Sequence, residues 1–313
     1  MVISGAGRST MFVVFWVAIS ANPANAQMDR YHATQKAPVI PVLEPRTTVD
    51  IPPSIRQPSG LAWERSSRLP WRRWTGRLLV SDVVDGKGKV FKIKPDGTMY
   101  GGPIDLPTLR PGPVAFDPHL RQLWTIDPRE SPIAEDPGED PGAPDPDSRL
   151  FIHGQLPILV KPNQPAVTGI SFRARGMRKE IWSCRGGGLC ATIEVRDSDS
   201  KTKELLWSFF PRCEPIDIAI DPDGRRLWIL ADNGKGRSTV LLEHLITDST
   251  DDRGPRMSVS QTGRFLALPA DVKPTAIIST GKSVWALGRS RQPAVSDRPA
   301  KPKLYEFDVG VLP

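Results

Sequence analysis

Apolar residues in this chain recur in short runs instead of at helical spacing, and the runs come in a repeated order. Leu61-Ala62-Trp63, Val114-Ala115-Phe116, Ile170-Ser171-Phe172 and Ile218-Ala219-Ile220 share an apolar-small-apolar pattern, and Ala276-Ile277-Ile278 is a looser copy. A polar turn follows each, then a second run: Leu78-Leu79-Val80, Leu123-Trp124-Thr125, Ile181-Trp182-Ser183, Leu227-Trp228-Ile229 and Val284-Trp285-Ala286. Tryptophan stands in one register in every copy except the first, where Leu79 takes its place. The turn is clearest in Ile220-Asp221-Pro222-Asp223-Gly224, where proline, aspartate and glycine each favour a reversal.

A third run completes the pattern in each copy: KVFKIK from Lys89, RLFIHG from Arg149, TIEVRD from Thr192, TVLLEH from Thr239 and KLYEFD from Lys303. Alternating β-branched and aromatic residues bounded by Gly, Pro and Asp predict strands. A fourth, looser run follows in all but the last copy: GPIDLP from Gly102, LPILV from Leu156, LLWSFF from Leu205 and FLALP from Phe265. TTVDIPP from Thr47 has the right character to supply the missing strand, which would leave no bare sheet edge at the join.

Units of four strands spaced by roughly 45 to 60 residues match the blade of a β-propeller. An ordinary β-sandwich explains neither the shared register nor the absence of a helical pattern. The expected fold is all-β, a propeller of five four-stranded blades closed by an N-terminal strand, with a sixth blade left open. The expected organisation is a signal peptide at residues 1–26, a linker at 27–46 and a single propeller domain at 47–313.

Composition sharpens this picture. The 33 prolines fit many turns and speak against a helical bundle. The leading segment carries Arg8, an apolar run from Met11 to Ile19 and the small-x-small site Ala24-Asn25-Ala26, the layout of a cleavable secretory signal. An uncleaved anchor is the competing reading, but the run is far short of the ~20 residues of a membrane span. The expected location is therefore secreted or periplasmic. Removing residues 1–26 takes away Arg8 and no acid, so the formal charge falls by one, from +7 to +6. That balance suits anionic surfaces or plain solubility. No basic run with interleaved aromatics points to nucleic acid.

Strand 2-to-3 loops and strand 4-to-1 connections open on one face of a propeller, and loop diversity is where function is usually carried. Here these loops are Ser81–Gly88, Asp127–Asp147, Arg185–Gly188, Asp232–Gly236 and Gly288–Lys301. They offer Asp82, Asp127, Arg185, Asn233, Arg289 and Arg291 as ligand-binding residues for a protein or glycan. Beyond Asp127 the second loop holds seven carboxylates among prolines and glycines, without the regular Asp spacing of a calcium loop, and reads as a solvated acidic segment. The last is basic through Arg289, Arg291, Arg298 and Lys301.

Asp217 begins a first strand and should point toward the channel mouth. With Asp82, Asp127 and Asp232 it would form a carboxylate cluster suited to one divalent cation, such as calcium, or to acid–base work. The competing reading is that these aspartates end their strands by bonding turn amides. His32, His119, His153 and His244 lack metal spacing, and no Gly-x-Ser-x-Gly elbow or phosphate loop is present. Cys184 and Cys190 flank the glycine-rich third loop, and an exported chain permits a disulfide there, with pairings to Cys213 as the alternative.

The phrases PSGLAW (Pro58 to Trp63), RLLVSD (Arg77 to Asp82), KVFKIKPDGT (Lys89 to Thr98) and IAIDPDGRRLWILAD (Ile218 to Asp232) resemble the NHL-repeat and SMP-30/gluconolactonase-like propellers. The resemblance covers most of residues 57–310. Its lactonase-like members hold a divalent metal in the central channel through an acidic residue and asparagines. By that resemblance, Ser59 stands where their glutamate does, Ile216 stands where an asparagine does, and Asp232 matches a ligating or catalytic aspartate. Two expected ligands are thus replaced. The leading expectation is an exported binding propeller working through its variable-loop face. The alternative is a metal-dependent hydrolase or lactonase with Asp217 and Asp232 as metal ligands and catalytic candidates. Oligomeric state is not legible in the sequence.

Overall fold

In the computed structural model the described residues are 41–65, 76–106, 111–117, 121–127, 149–152, 158–159, 167–175, 178–185, 191–197, 203–209, 214–232, 239–251, 254–290 and 301–310. They contain strands and no helix. Strand β1 is Thr47–Asp50. Then come β2 (Gly60–Arg65), β3 (Gly76–Val84), β4 (Lys87–Ile93) and β5 (Ile104–Asp105), which form the first antiparallel sheet. The second holds β6 (Val114–Asp117), β7 (Gln122–Asp127), β8 (Arg149–Ile152) and β9 (Ile158–Leu159). The third holds β10 (Val167–Arg175), β11 (Arg178–Arg185), β12 (Ala191–Asp197) and β13 (Lys203–Phe209). The fourth holds β14 (Glu214–Ile220), β15 (Arg226–Asp232), β16 (Thr239–Asp251) and β17 (Gly254–Ala267). Finally β18 (Val272–Ser279), β19 (Ser283–Ser290) and β20 (Pro302–Asp308) form a sheet whose outer strand is β1.

The first strands are neighbours in cyclic order: β2 beside β6, β6 beside β10, β10 beside β14, β14 beside β18, and β18 beside β2. The arrangement is propeller-like. Its core is divided among the spaces between sheets. Trp124 packs between the second and third sheets, Trp182 between the third and fourth, Trp228 between the fourth and fifth, and Trp285 between the fifth and first. Leu79 fills the space between the first and second. The repeated tryptophan register therefore has a packing cause: each second strand carries one large wedge against the next sheet. In the first four sheets the residue opposite the wedge on the first strand is Ala62, Ala115, Ser171 or Ala219, small enough to admit it.

The fifth copy corrects the sequence reading by one residue. Trp285 is opposite Ile278, so its first run is Ile277-Ile278-Ser279, not Ala276-Ile277-Ile278. A bulge at Thr275 sets this register, and the same bulge occurs at Thr168 in β10 and Ile216 in β14.

One expected loop is a hairpin. Ser81–Gly88 belongs to a continuous hairpin, with β3 reaching Val84 and β4 starting at Lys87. Asp85 and Gly86 make the two-residue turn with φ of 52° and 72°, the mirror-image geometry that Asp-Gly favours. Strand β17 begins at Gly254, well before Phe265, and pairs with β16 as a long hairpin that runs past the last β15 partner, Leu245. Pro41 and Leu43 bond Ala267 at the outer edge of that hairpin. The chain then crosses to pair β1 antiparallel with β20, Thr47 opposite Glu306.

Candidate functional site

Asp217 is buried in the middle of β14, which begins at Glu214 and not at Asp217 as expected, and its carboxylate spans two sheets. Oδ1 accepts the Ile218 N–H at 2.8 Å, and Oδ2 accepts the Ile277 N–H of β18 at 2.8 Å. On its other side lies Gly169 of β10. A Cβ there would stand 2.2 Å from Asp217 Oδ1, 2.6 Å from its Cα and 2.9 Å from Cys184 Sγ, so the close approach admits only glycine. Burial raises the carboxyl well above the ordinary aspartate range, while the two N–H donors oppose that shift.

Cys184 completes this knot as a fully buried free thiol. Thr168 Oγ1 lies 3.3 Å from its Sγ and donates to the Pro215 carbonyl at 3.0 Å. Burial first, and the Asp217 charge second, push the thiol up, so it is an unreactive group. Cys190 and Cys213 lie outside the described residues.

Asp82 plays a similar part in the first sheet. Its Oδ2 accepts from Arg56 N at 2.7 Å, and Oδ1 accepts from Gln57 N at 3.1 Å and Val83 N at 2.7 Å. Arg289 holds the same segment from the fifth sheet, donating from Nη2 to the Arg56 carbonyl at 3.0 Å. Asp82 and Arg289 are thus brought to one segment, residues 56–57, while Asp217 sits between the third and fifth sheets.

Asp232 ends β15 half-buried, paired along the backbone with Glu214 and Thr239. Asp127 ends β7 opposite Arg149, and Arg185 ends β11 opposite Val167 and Thr192. Asn233 and Arg291 lie outside the described residues, as does the acidic loop at 128–147. Among the described residues, no three His, Cys, Asp or Glu side chains form a group that could hold a metal ion.

The two positions that depart from the lactonase-like pattern are structural. Ser59 Oγ donates to the Pro111 carbonyl and lies 3.0 Å from Ser81 Oγ, and Ser81 Oγ donates to the Gly112 carbonyl at 3.0 Å, tying the first sheet to the entry of the second. Ile216 is the bulged residue of β14 and packs on the core between the fourth and fifth sheets.

Sequence reasoning missed two features toward the C-terminal ends of the first strands. The first is an axial cavity of about 90 Å3, walled by residues of all five first strands and the turn after β14. Its lining includes the aromatic residues Trp63, Phe116 and Phe172 and the polar residues Ser171, Asp221 and Ser279. Asp221 Oδ1 accepts the Trp228 indole N–H at 3.0 Å and the Ser279 hydroxyl, while Oδ2 faces Arg226 Nε at 3.4 Å. Burial raises its carboxyl, against the pull of Ser279, Trp228 and Arg226. Its sequence signal was the aspartate opening the Asp-Pro-Asp-Gly turn.

The second is a buried guanidinium. Arg173 on β10 donates to the Gly224 carbonyl at 2.8 Å, to Glu180 Oε2 at 3.1 Å and to Asp248 Oδ2 at 2.6 Å. Asp248 belongs to the β16–β17 extension, so this group anchors the long hairpin to the third sheet.

No family model and no curated protein sequence matches the chain. Among solved structures, a nidogen/laminin complex is similar over 82% of this chain and 87% of its own, at 13% identity and a TM-score of 0.46. The hydrazine synthase of Kuenenia stuttgartiensis is similar over 82% of this chain at 11% identity and a TM-score of 0.43, and this chain spans 64% of its length.

Proposed function

We propose that this chain is an exported binding scaffold: a five-bladed β-propeller, closed by β1, whose strand 2-to-3 connections recognise a protein or glycan ligand. Five four-stranded sheets, first strands adjacent in cyclic order and β1 as the outer strand of the last sheet all support the ring. The signal-like composition of residues 1–26 supports export.

One observation carries the choice of binding over hydrolysis. The carboxylates Asp82 and Asp217, which a lactonase-like channel would turn toward a cation, have every oxygen accepting main-chain N–H groups. They act as braces between strands. A cation there would have to displace bonds that hold the sheets in register.

The test is the melting temperature of residues 27–313 in EDTA and in calcium, magnesium, manganese or zinc, together with a lactone-hydrolysis assay. A metal that binds only the folded state adds ~2.7 kcal/mol at a hundredfold excess over its dissociation constant. A flat response and no hydrolysis support the scaffold. A clear rise with one cation, abolished by Asp217→Asn along with hydrolysis, overturns it. The loop face itself is tested by replacing residues 128–147 with Gly and Ser, which should abolish capture on a glycan or protein array while leaving the melt unchanged.

A further inference from the structure

The axial cavity lies toward the C-terminal ends of the first strands, beyond Asp217, and its lining mixes aromatic and polar residues. Trp63, Phe116 and Phe172 occupy one register position in three successive sheets, each one residue beyond the small residue that faces the wedge. Each packs on a different part of the core, remains only partly covered and lines the cavity. Trp63 is held in place by Gly76, where a Cβ would stand 1.9 Å from the indole. In the last two sheets the same register carries Ile220 and Ser279, and beside them stands the buried carboxylate of Asp221.

The charges beside the cavity favour a cation. Arg173 lines it, but this guanidinium is matched by two carboxylates, Glu180 and Asp248. Asp221 Oδ2 has Arg226 as its charged partner, at 3.4 Å and through a side chain that remains partly exposed. The cavity's side chains offer one carboxylate and two hydroxyls, fewer oxygens than the roughly six or more a hard divalent ion takes. An alkylammonium is weakly hydrated and is attracted both to ring faces and to a carboxylate. The space is small, about 90 Å3, and partly open to solvent, so a head group can be received at it with its tail outside.

We propose that this cavity is a binding site for a small alkylammonium head group, with Trp63, Phe116 and Phe172 as its aromatic walls and Asp221 as its counter-ion. This site is independent of the loop-face reading and uses none of its residues.

The experiment is calorimetric titration of residues 27–313 with choline chloride and with dimethylbutanol, in which carbon replaces the quaternary nitrogen. Choline should bind about tenfold or more tightly than the alcohol, a difference of about 1.4 kcal/mol. Phe116→Leu, which keeps apolar bulk and removes the ring, should weaken choline severalfold and leave the alcohol unchanged. Asp221→Asn, which keeps acceptors for Ser279 and Trp228, should weaken choline about tenfold. Phe116 lies away from the Asp221 hydrogen bonds, so that variant decides the matter if Asp221→Asn does not fold. Equal binding of the two compounds, no detectable choline binding, or choline affinity unchanged in Phe116→Leu overturns the proposal. Any of these leaves the metal and loop-replacement results untouched.

Discussion

Asp217 is the residue whose meaning changes most between sequence and structure. A carboxylate at the start of an inner strand reads as a channel ligand, because nothing in the sequence tells which main-chain donors lie across the next sheet. The clue was Gly169, a glycine facing it from the preceding sheet, and that clue has meaning only once β10 and β14 are neighbours. Asp217→Ala should therefore lower unfolding stability by about 2–4 kcal/mol, because it orphans two buried N–H groups. Urea denaturation checks this; a change below about 0.5 kcal/mol would mean that the brace is dispensable.

His244 makes a second statement at this scale. It is buried on β16, and burial depresses its imidazole from 6.5 to about 4. Since the unfolded chain takes up the proton first, the neutral ring stabilises the fold fully above pH 6.5. That contribution is lost as the pH falls toward 4, amounting to about 3 kcal/mol. Asp217 and Asp221, both raised, act in the opposite sense, since their contribution fades as pH rises through their folded values. The measurement is the difference in the pH slope of stability between the wild type and His244→Gln, which should be confined to pH 4–6.5. Parallel curves would assign the acid sensitivity elsewhere.

At the scale of elements, what was legible is what packing repeats. The tryptophan wedges showed in the sequence because the same space between sheets must be filled again and again. The fifth first strand was read one residue early because Ser279 stands where the other copies carry an apolar residue. The last strand of the fourth copy was read as beginning at Phe265 instead of Gly254 because residues such as Ser258, Ser260, Thr262 and Gly263 are exposed and polar, and an exposed strand carries a weak apolar signal. The long hairpin's stability comes from Ile246 and Val259, packed with Trp182, and from Arg173. Arg173→Met should cost about 3–5 kcal/mol, because Glu180 and Asp248 are left with no guanidinium between them. Amide exchange should rise first in residues 246–261. If exchange rises uniformly instead, the hairpin is not separately anchored.

For the whole molecule, five packing layers between adjacent sheets mean that no sheet is stable by its own core. The strand β1 places Val49 in the layer between the fifth and first sheets, where Ile51 and Ile55 also pack. Deleting Thr47–Pro52 should therefore abolish cooperative melting of residues 27–313, since a typical domain has only about 5–15 kcal/mol to lose. Unchanged cooperative melting would sink the closure. The all-β class and the repetition of strand units were readable from periodicity alone. The site was not, because a carboxylate that braces and one that binds have the same letter.

The pairing of Thr47 with Glu306 puts the start of β1 alongside the end of β20, antiparallel and in one ladder. A short turn could therefore join Asp308 to Thr47, and the chain could be opened at another connection, such as 160–166. Such a circular permutant would keep every strand ladder yet place its new ends between sheets instead of within one. It should reach the same fold but fray from its new ends, which makes it a direct gauge of how much the pairing of β1 with β20 in one sheet, beyond the contacts themselves, adds to the stability of the native protein.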